Sequence, residues 1–173
     1  MRRGPLIRSF RMSSSTVDGQ RRLFLVSAVS DAEQRRAARL ILLDEEGRVL
    51  LFRHLRMDGS AFWAPPGGGA ASDETFEQAA LREAEEELGL NGFPVKFLWE
   101  GWTDFVYIET PVRQHEYFFL LDARVSALSP EVRKKHEDEG IVEMRWWSAS
   151  AIASTSEPVF PEALASEIKK LSR

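Results

Sequence analysis

At 173 residues, with a formal net charge of −4, 43% hydrophobic and 29% charged residues, the chain has the makeup of one soluble globular domain. The lack of cysteine excludes disulfides, thiolate catalysis and cysteine metal sites, and three scattered histidines leave little for zinc. No surplus of Lys and Arg favours broad binding to nucleic acid or membrane, no apolar run approaches the roughly 18 residues of a membrane span, and the composition fits the cytoplasm.

Residues 1–21 are rich in Arg and Ser and hold one acid, Asp18. No apolar run follows the basic start, so a disordered tail is expected rather than a secretory signal, with Met12 an alternative start. Residues 22–173 read as a single domain. Leu23–Val29 is apolar enough for a strand, and Asp31–Ala38 reads as a polar connection. Arg39–Leu43 reads as a buried strand, Asp44–Gly47 as a turn and Arg48–Arg53 as the returning strand of a hairpin. His54–Ser60 is a polar loop. Pro65-Pro66 then holds the backbone extended, and Gly67-Gly68-Gly69 permits a tight turn and a close approach of backbone to phosphate.

The stretch from Gly68 to Leu90 carries the most information. Thr75 and Gln78 form a capping-box pattern, which predicts a helix from Phe76 to Leu88, and Gly89 suits the left-handed residue that closes it. At about 100° per residue, Phe76, Ala80, Leu81, Ala84 and Leu88 share an apolar side, with Glu83, Glu86 and Glu87 on an arc of about 100° beside it. Those three are three and four residues apart, so their carboxylates converge. A Glu-rich helix taken alone is ordinarily a solvated face. Converging carboxylates repel one another unless a cation sits among them, and Mg²⁺ takes oxygen ligands of this kind.

The full pattern is a glycine, five residues, Glu74, seven residues, Arg82-Glu83, two residues, Glu86-Glu87, one residue, Gly89 and an aliphatic residue. It resembles the Nudix box of the Nudix hydrolases, the MutT-like superfamily. Ala84 is smaller than the aliphatic residue usual at its position, and Asp73 stands where many members have glycine. The resemblance implies an α/β fold, an α/β/α sandwich around a central mixed sheet. It also implies a loop–helix–loop that binds Mg²⁺ or Mn²⁺ on a diphosphate. By position, Glu83, Glu86 and Glu87 match the metal ligands, and Glu74 and Arg82 match the residues that orient them. Gly68 matches the turn glycine, and Gly67 to Gly69 lie where the family carries a Pro-Gly-Gly run.

After the box, Val95–Trp99, Trp102–Ile108 and Gln114–Leu121 read as strands, with Pro111 at a turn. Glu131–Gly140 reads as a charged loop and Ile141–Trp147 as the last strand. Pro161 is expected to open a final helix with Leu164, Ile168 and Leu171 on one face. Trp63, Trp102, Phe105 and Tyr107 are candidates for stacking on a nucleobase, with core packing as the competing fate. A tyrosine placed like Tyr107 resembles the subgroup that cleaves diadenosine polyphosphates.

The expected reaction is metal-dependent hydrolysis of a phosphoanhydride in a small nucleoside diphosphate derivative, a dinucleoside polyphosphate among the candidates. Arg82 is expected to pair with a carboxylate rather than with substrate. Glu116, Glu137, Glu139 and Glu143 are candidate general bases. Glu137 and Glu139 rank first because their loop could swing over the site. His115 and His136 are read as ordinary polar residues. The alternative is a catalytically silent nucleotide sensor of the same fold, although no box carboxylate is missing. An isoprenyl diphosphate isomerase would need a cysteine that is absent. A homodimer is compatible with these readings.

Overall fold

Runs of bulky aliphatic residues form the middle layer of the fold, because each such strand buries both of its faces. The computed structural model describes residues 33–56, 58–107, 110–123 and 128–171. The expected strand at Leu23–Val29 and the tail before it lie outside the described residues. The strands are β1 (Glu33–Ile41), β2 (Val49–Leu55), β3 (Ala61–Ala64), β4 (Gly67–Gly69), β5 (Val95–Tyr107), β6 (Thr110–Leu121) and β7 (Ile141–Trp147). The helices are α1 (Phe76–Leu88), α2 (Pro130–Asp138), α3 (Ala149–Ser154) and α4 (Leu164–Leu171).

One sheet has four strands in the order β4-β1-β6-β5, and the other has three in the order β3-β2-β7. The first is mixed: β1 runs parallel to β6 and antiparallel to β4. Alternate residues leave each sheet in opposite directions. Leu40 and Phe119, with Leu50 and Phe52 of the second sheet, pack under α1 and α2. Ile41 and Phe118, with Val49 and Leu51, pack with α3 and α4. Helices therefore cover both sides of the strand layer, the α/β/α arrangement expected. Among the described residues, no helix is long and apolar enough to cross a membrane.

The tertiary pairings change several local expectations. β1 begins at Glu33, so most of the stretch read as a polar connection is strand. Its parallel register with β6, from Glu33–Val112 to Ile41–Leu120, supplies hydrogen bonds that local polarity does not reveal. The hairpin turn at Asp44–Gly47 forms, with Asp44 N–H on Arg48 O at 3.0 Å. Its two arms then part into different sheets after the Leu43–Val49 bridge. β5 is one strand across Gly101, because β6 pairs with it along its whole length around a bulge near Phe97 and Trp99. Pro111 belongs to β6, opposite Val106. Pro130–Asp138 is helix rather than loop, capped by the Ser129 side chain on Val132 N–H. The final helix starts at Leu164, later than Pro161, whose carbonyl accepts from Leu164 N–H at 2.9 Å.

Candidate active site

α1 is placed by its own termini. Thr75 Oγ1 accepts from Gln78 N–H at 3.1 Å, and Gln78 Oε1 accepts from Thr75 N–H at 2.8 Å. Gly89 is left-handed at φ 68°, and Leu90 N–H reaches back to Ala84 O at 3.0 Å. The face that α1 buries differs from the wheel expectation. Ala79 is fully buried, whereas Leu81 is 38% exposed. Glu83 and Glu87 lie on the buried stripe itself, at 7% and 5% exposure, while Glu86 stays partly exposed.

The glycine strand β4 is fitted against this acidic stripe. Gly67 N–H donates to Glu87 Oε2 at 2.6 Å. A Cβ at Gly68 would lie 2.5 Å from Glu83 Oε1, so only a glycine lets the carboxylate sit there. Gly69 O accepts from Arg82 Nη2 at 2.8 Å. Arg82 is thus tied to the loop, and it pairs with acids as expected. Its Nε lies 2.9 Å from Glu74 Oε1, and its Nη1 lies 2.6 Å from Glu83 Oε1 and 3.5 Å from Glu86 Oε2. Glu74 in turn accepts from Ala71 N–H at 3.0 Å. The Arg82 hydrogen bond holds the Glu74 carboxyl below its usual range.

α2 closes the other side. Lys135 Nζ lies 2.8 Å from Glu86 Oε2 and 3.9 Å from Glu139 Oε1. His136 is 5% exposed, and burial lowers its pKa, so the ring is neutral. Its Nε2–H donates to Glu87 O at 2.7 Å, satisfying a carbonyl that the end of α1 leaves unpaired.

Burial, and then the charge of Glu83, pushes the Glu87 carboxyl up to about 8. Glu83 is raised by burial, with Glu86 adding to the shift. Glu139 is raised by burial, then by Glu83 and Glu86, against the pull of Lys135. Among the described residues, no three His, Asp or Glu side chains form a ready-made metal cage; Arg82 pairs with Glu83, Lys135 with Glu86, and Gly67 N–H with Glu87. The residues nevertheless fit a hard dication. Their donors are carboxylate oxygens, two of the three side chains, Glu83 and Glu87, are buried beside each other with their carboxyls raised, and the absence of a Cβ at Gly68 leaves room for Glu83.

The remaining candidates disperse. Glu137 is exposed on α2, and Glu143 pairs with Arg145 at 2.5 Å on β7. Glu116 is 6% exposed and saturated by Arg39, Thr103 and Gln114. Trp63 is core, fully buried and edge-on to Trp147. Trp102 is 50% exposed and stacks on His115. Phe105 lines a narrow cleft with Arg39, Phe62, Gln114, Glu116 and Phe160. Tyr107 ends β5 opposite Thr110, and its side chain lies outside the described residues. Sequence reasoning missed Lys135 and Arg39. Lys135 was hidden by reading α2 as loop, although Ser129-Pro130-Glu131 is a helix-start signal.

The NUDIX domain family matches residues 33–166. An RNA pyrophosphohydrolase of Teredinibacter turnerae is 40% identical over 79 residues, 44% of this chain and 45% of that protein. Another, from Pseudomonas putida, is 31% identical over 115 residues, 62% of this chain and 70% of that protein. The chain thus spans about half the length of the first of these relatives. A MutT NUDIX hydrolase from Burkholderia pseudomallei superposes with a TM-score of 0.58 at 22% identity, over 80% of this chain and 98% of that one, a likeness of fold.

Proposed function

This chain belongs to the NUDIX family, and on that premise we propose that it is a pyrophosphohydrolase acting on a nucleoside diphosphate derivative. The observation that carries the reading is the pair of buried carboxylates, Glu83 and Glu87, set against the glycine backbone of β4. Burying two acids side by side is unfavourable without a cation, and a site kept in that condition is suited to collecting one.

Glu83, Glu86 and Glu87 would hold Mg²⁺ or Mn²⁺, which would neutralise diphosphate oxygens and acidify a water. The rest is the work of this chain's own residues. Glu74 fixes Arg82, and Arg82 fixes the Glu83 rotamer and the Gly69 carbonyl. Lys135 holds Glu86, which is exposed enough to turn toward a ligand. Gly67 and Gly68 leave room for the Ala38 backbone and the Glu83 carboxylate, and Gly69 O anchors Arg82, so the glycine run would serve the diphosphate by shaping the acidic stripe. Glu139, linked through Lys135 to Glu86 and with its carboxyl raised by burial, would be the candidate to accept a proton from the attacking water.

The test is a hydrolysis screen with Mg²⁺ and Mn²⁺ over nucleotides, dinucleoside polyphosphates, nucleotide sugars, ADP-ribose and RNA bearing a 5′ pyrophosphate. The RNA arm follows from the names of the relatives, and the dinucleoside arm from Tyr107. Metal-dependent release of phosphate, pyrophosphate or a nucleoside monophosphate from at least one arm is expected. Tight nucleotide binding with no turnover on any arm would replace the enzyme reading with the sensor reading.

A further inference from the structure

Arg39 is an anomaly in its strand. Ala37 and Ile41, which share its face of β1, are both buried, the Arg39 side chain itself is 20% exposed, and a charge so largely shielded from water is costly unless it is paired. Its Nε donates to Glu116 Oε1 at 2.9 Å, and its Nη1 donates to Gly67 O at 2.8 Å. Glu116 also accepts from Thr103 Oγ1–H at 2.7 Å and Gln114 Nε2–H at 3.0 Å, so three donors fix it. Gly67 faces Arg39 in the antiparallel register of β1 and β4. Its carbonyl is held by Arg39 and its N–H by Glu87.

We propose that Arg39 and Glu116 are positioning residues that lock Gly67 and thereby set the Glu87 carboxylate for cation binding. The proposal rests on the reading of Glu87 as a cation ligand. A largely buried ion pair contributes little stability compared with an apolar pair of like shape. What this one provides is geometry: a planar guanidinium reaches two acceptors at fixed angles. A lysine ammonium is a point charge and does not present that fork. Burial draws the Arg39 pKa down, but Glu116 holds it above its usual value, so the cation persists and is felt by Glu87 and Glu83.

The experiment compares Arg39→Lys, Glu116→Gln and Glu87→Gln with the wild-type chain. Three quantities are read: the Mn²⁺ dissociation constant of the substrate-free protein by electron paramagnetic resonance, kcat and KM on the best substrate, and the thermal midpoint. Arg39→Lys should weaken Mn²⁺ binding by about tenfold and lower kcat by a similar factor, with KM within about twofold. Glu116→Gln keeps an oxygen for Arg39 and should lose about threefold in both. A folded Arg39→Lys protein with wild-type Mn²⁺ affinity and kcat would overturn the proposal. So would a loss confined to the thermal midpoint. Should Arg39→Lys fail to fold, Arg39→Met combined with Glu116→Met leaves no buried charge unpaired and is read by the same criteria. If Glu87→Gln weakens Mn²⁺ binding and neither Arg39 variant does, the positioning proposal alone falls. If Glu87→Gln leaves Mn²⁺ binding unchanged, the cation reading of Glu87 falls and takes this proposal with it.

Discussion

A methyl group added at Gly67 would lie 2.2 Å from the Ala38 carbonyl oxygen, a backbone atom that cannot turn away, at a φ of 129° that side chains rarely adopt. Gly67→Ala should therefore cost about 2–4 kcal/mol in the urea unfolding free energy. The same methyl at Gly68 meets only the tip of Glu83, which can rotate. Gly68→Ala should leave the unfolding midpoint nearly unchanged and lower kcat by about tenfold or more, because the displaced carboxylate is one of those proposed to hold the cation. His54 gives a separate test. It stacks on Phe62 at 4.9 Å, and burial, then the charge of Arg39, lowers its pKa from 6.5 to about 3. The folded chain keeps it neutral, while the unfolded chain protonates it below about pH 6.5. Its contribution is complete above that pH and falls as the pH drops toward 3. Urea midpoints measured from about pH 7 down to about pH 4.5 should fall less steeply in His54→Gln than in the wild type. At this scale the acids of the box were legible because a three- and four-residue spacing sets them on neighbouring turns of one helix. Arg39 was not, since nothing local distinguishes a stray charge in a buried strand from one that grips a distant glycine.

α1 shows what a self-contained element allows. Its capping box and its left-handed glycine are local chemistry, so both boundaries could be read before any packing was known. Thr75→Ala should cost about 1 kcal/mol, seen as a lower thermal midpoint. Its rotation could not be read as well. Ala79 turns inward and Leu81 outward because the strands beneath set the facing, and the wheel alone does not know where they lie. The same lesson holds for β1 and β5, whose extents follow β6 rather than their own polarity. α2 is the opposite case. Its start signal was present in Ser129-Pro130, but seven charged or polar residues over Arg133–Glu139 outweighed it. A highly charged helix is marginal alone and depends on docking.

That docking joins the scales. The three-layer fold brings α2 against α1, where His136 donates to Glu87 O and packs edge-on against Phe52 at 4.7 Å. His136→Ala should cost about 2–3 kcal/mol in chemical denaturation, because it leaves that carbonyl unpaired and a cavity beside Phe52. The fold class followed from the resemblance carried by the box. The division into two sheets did not, since strand pairings are made over long stretches of chain. In the proposed function, hydrolysis depends on the carboxylates of α1 gathering a dication. The most direct measurement is kcat for Glu86→Gln combined with Glu87→Gln at saturating Mg²⁺, on whichever substrate the wild type turns over, with folding verified by the thermal midpoint. A fall of roughly a hundredfold or more is predicted. A folded double variant that hydrolyses the substrate at the wild-type rate would contradict it.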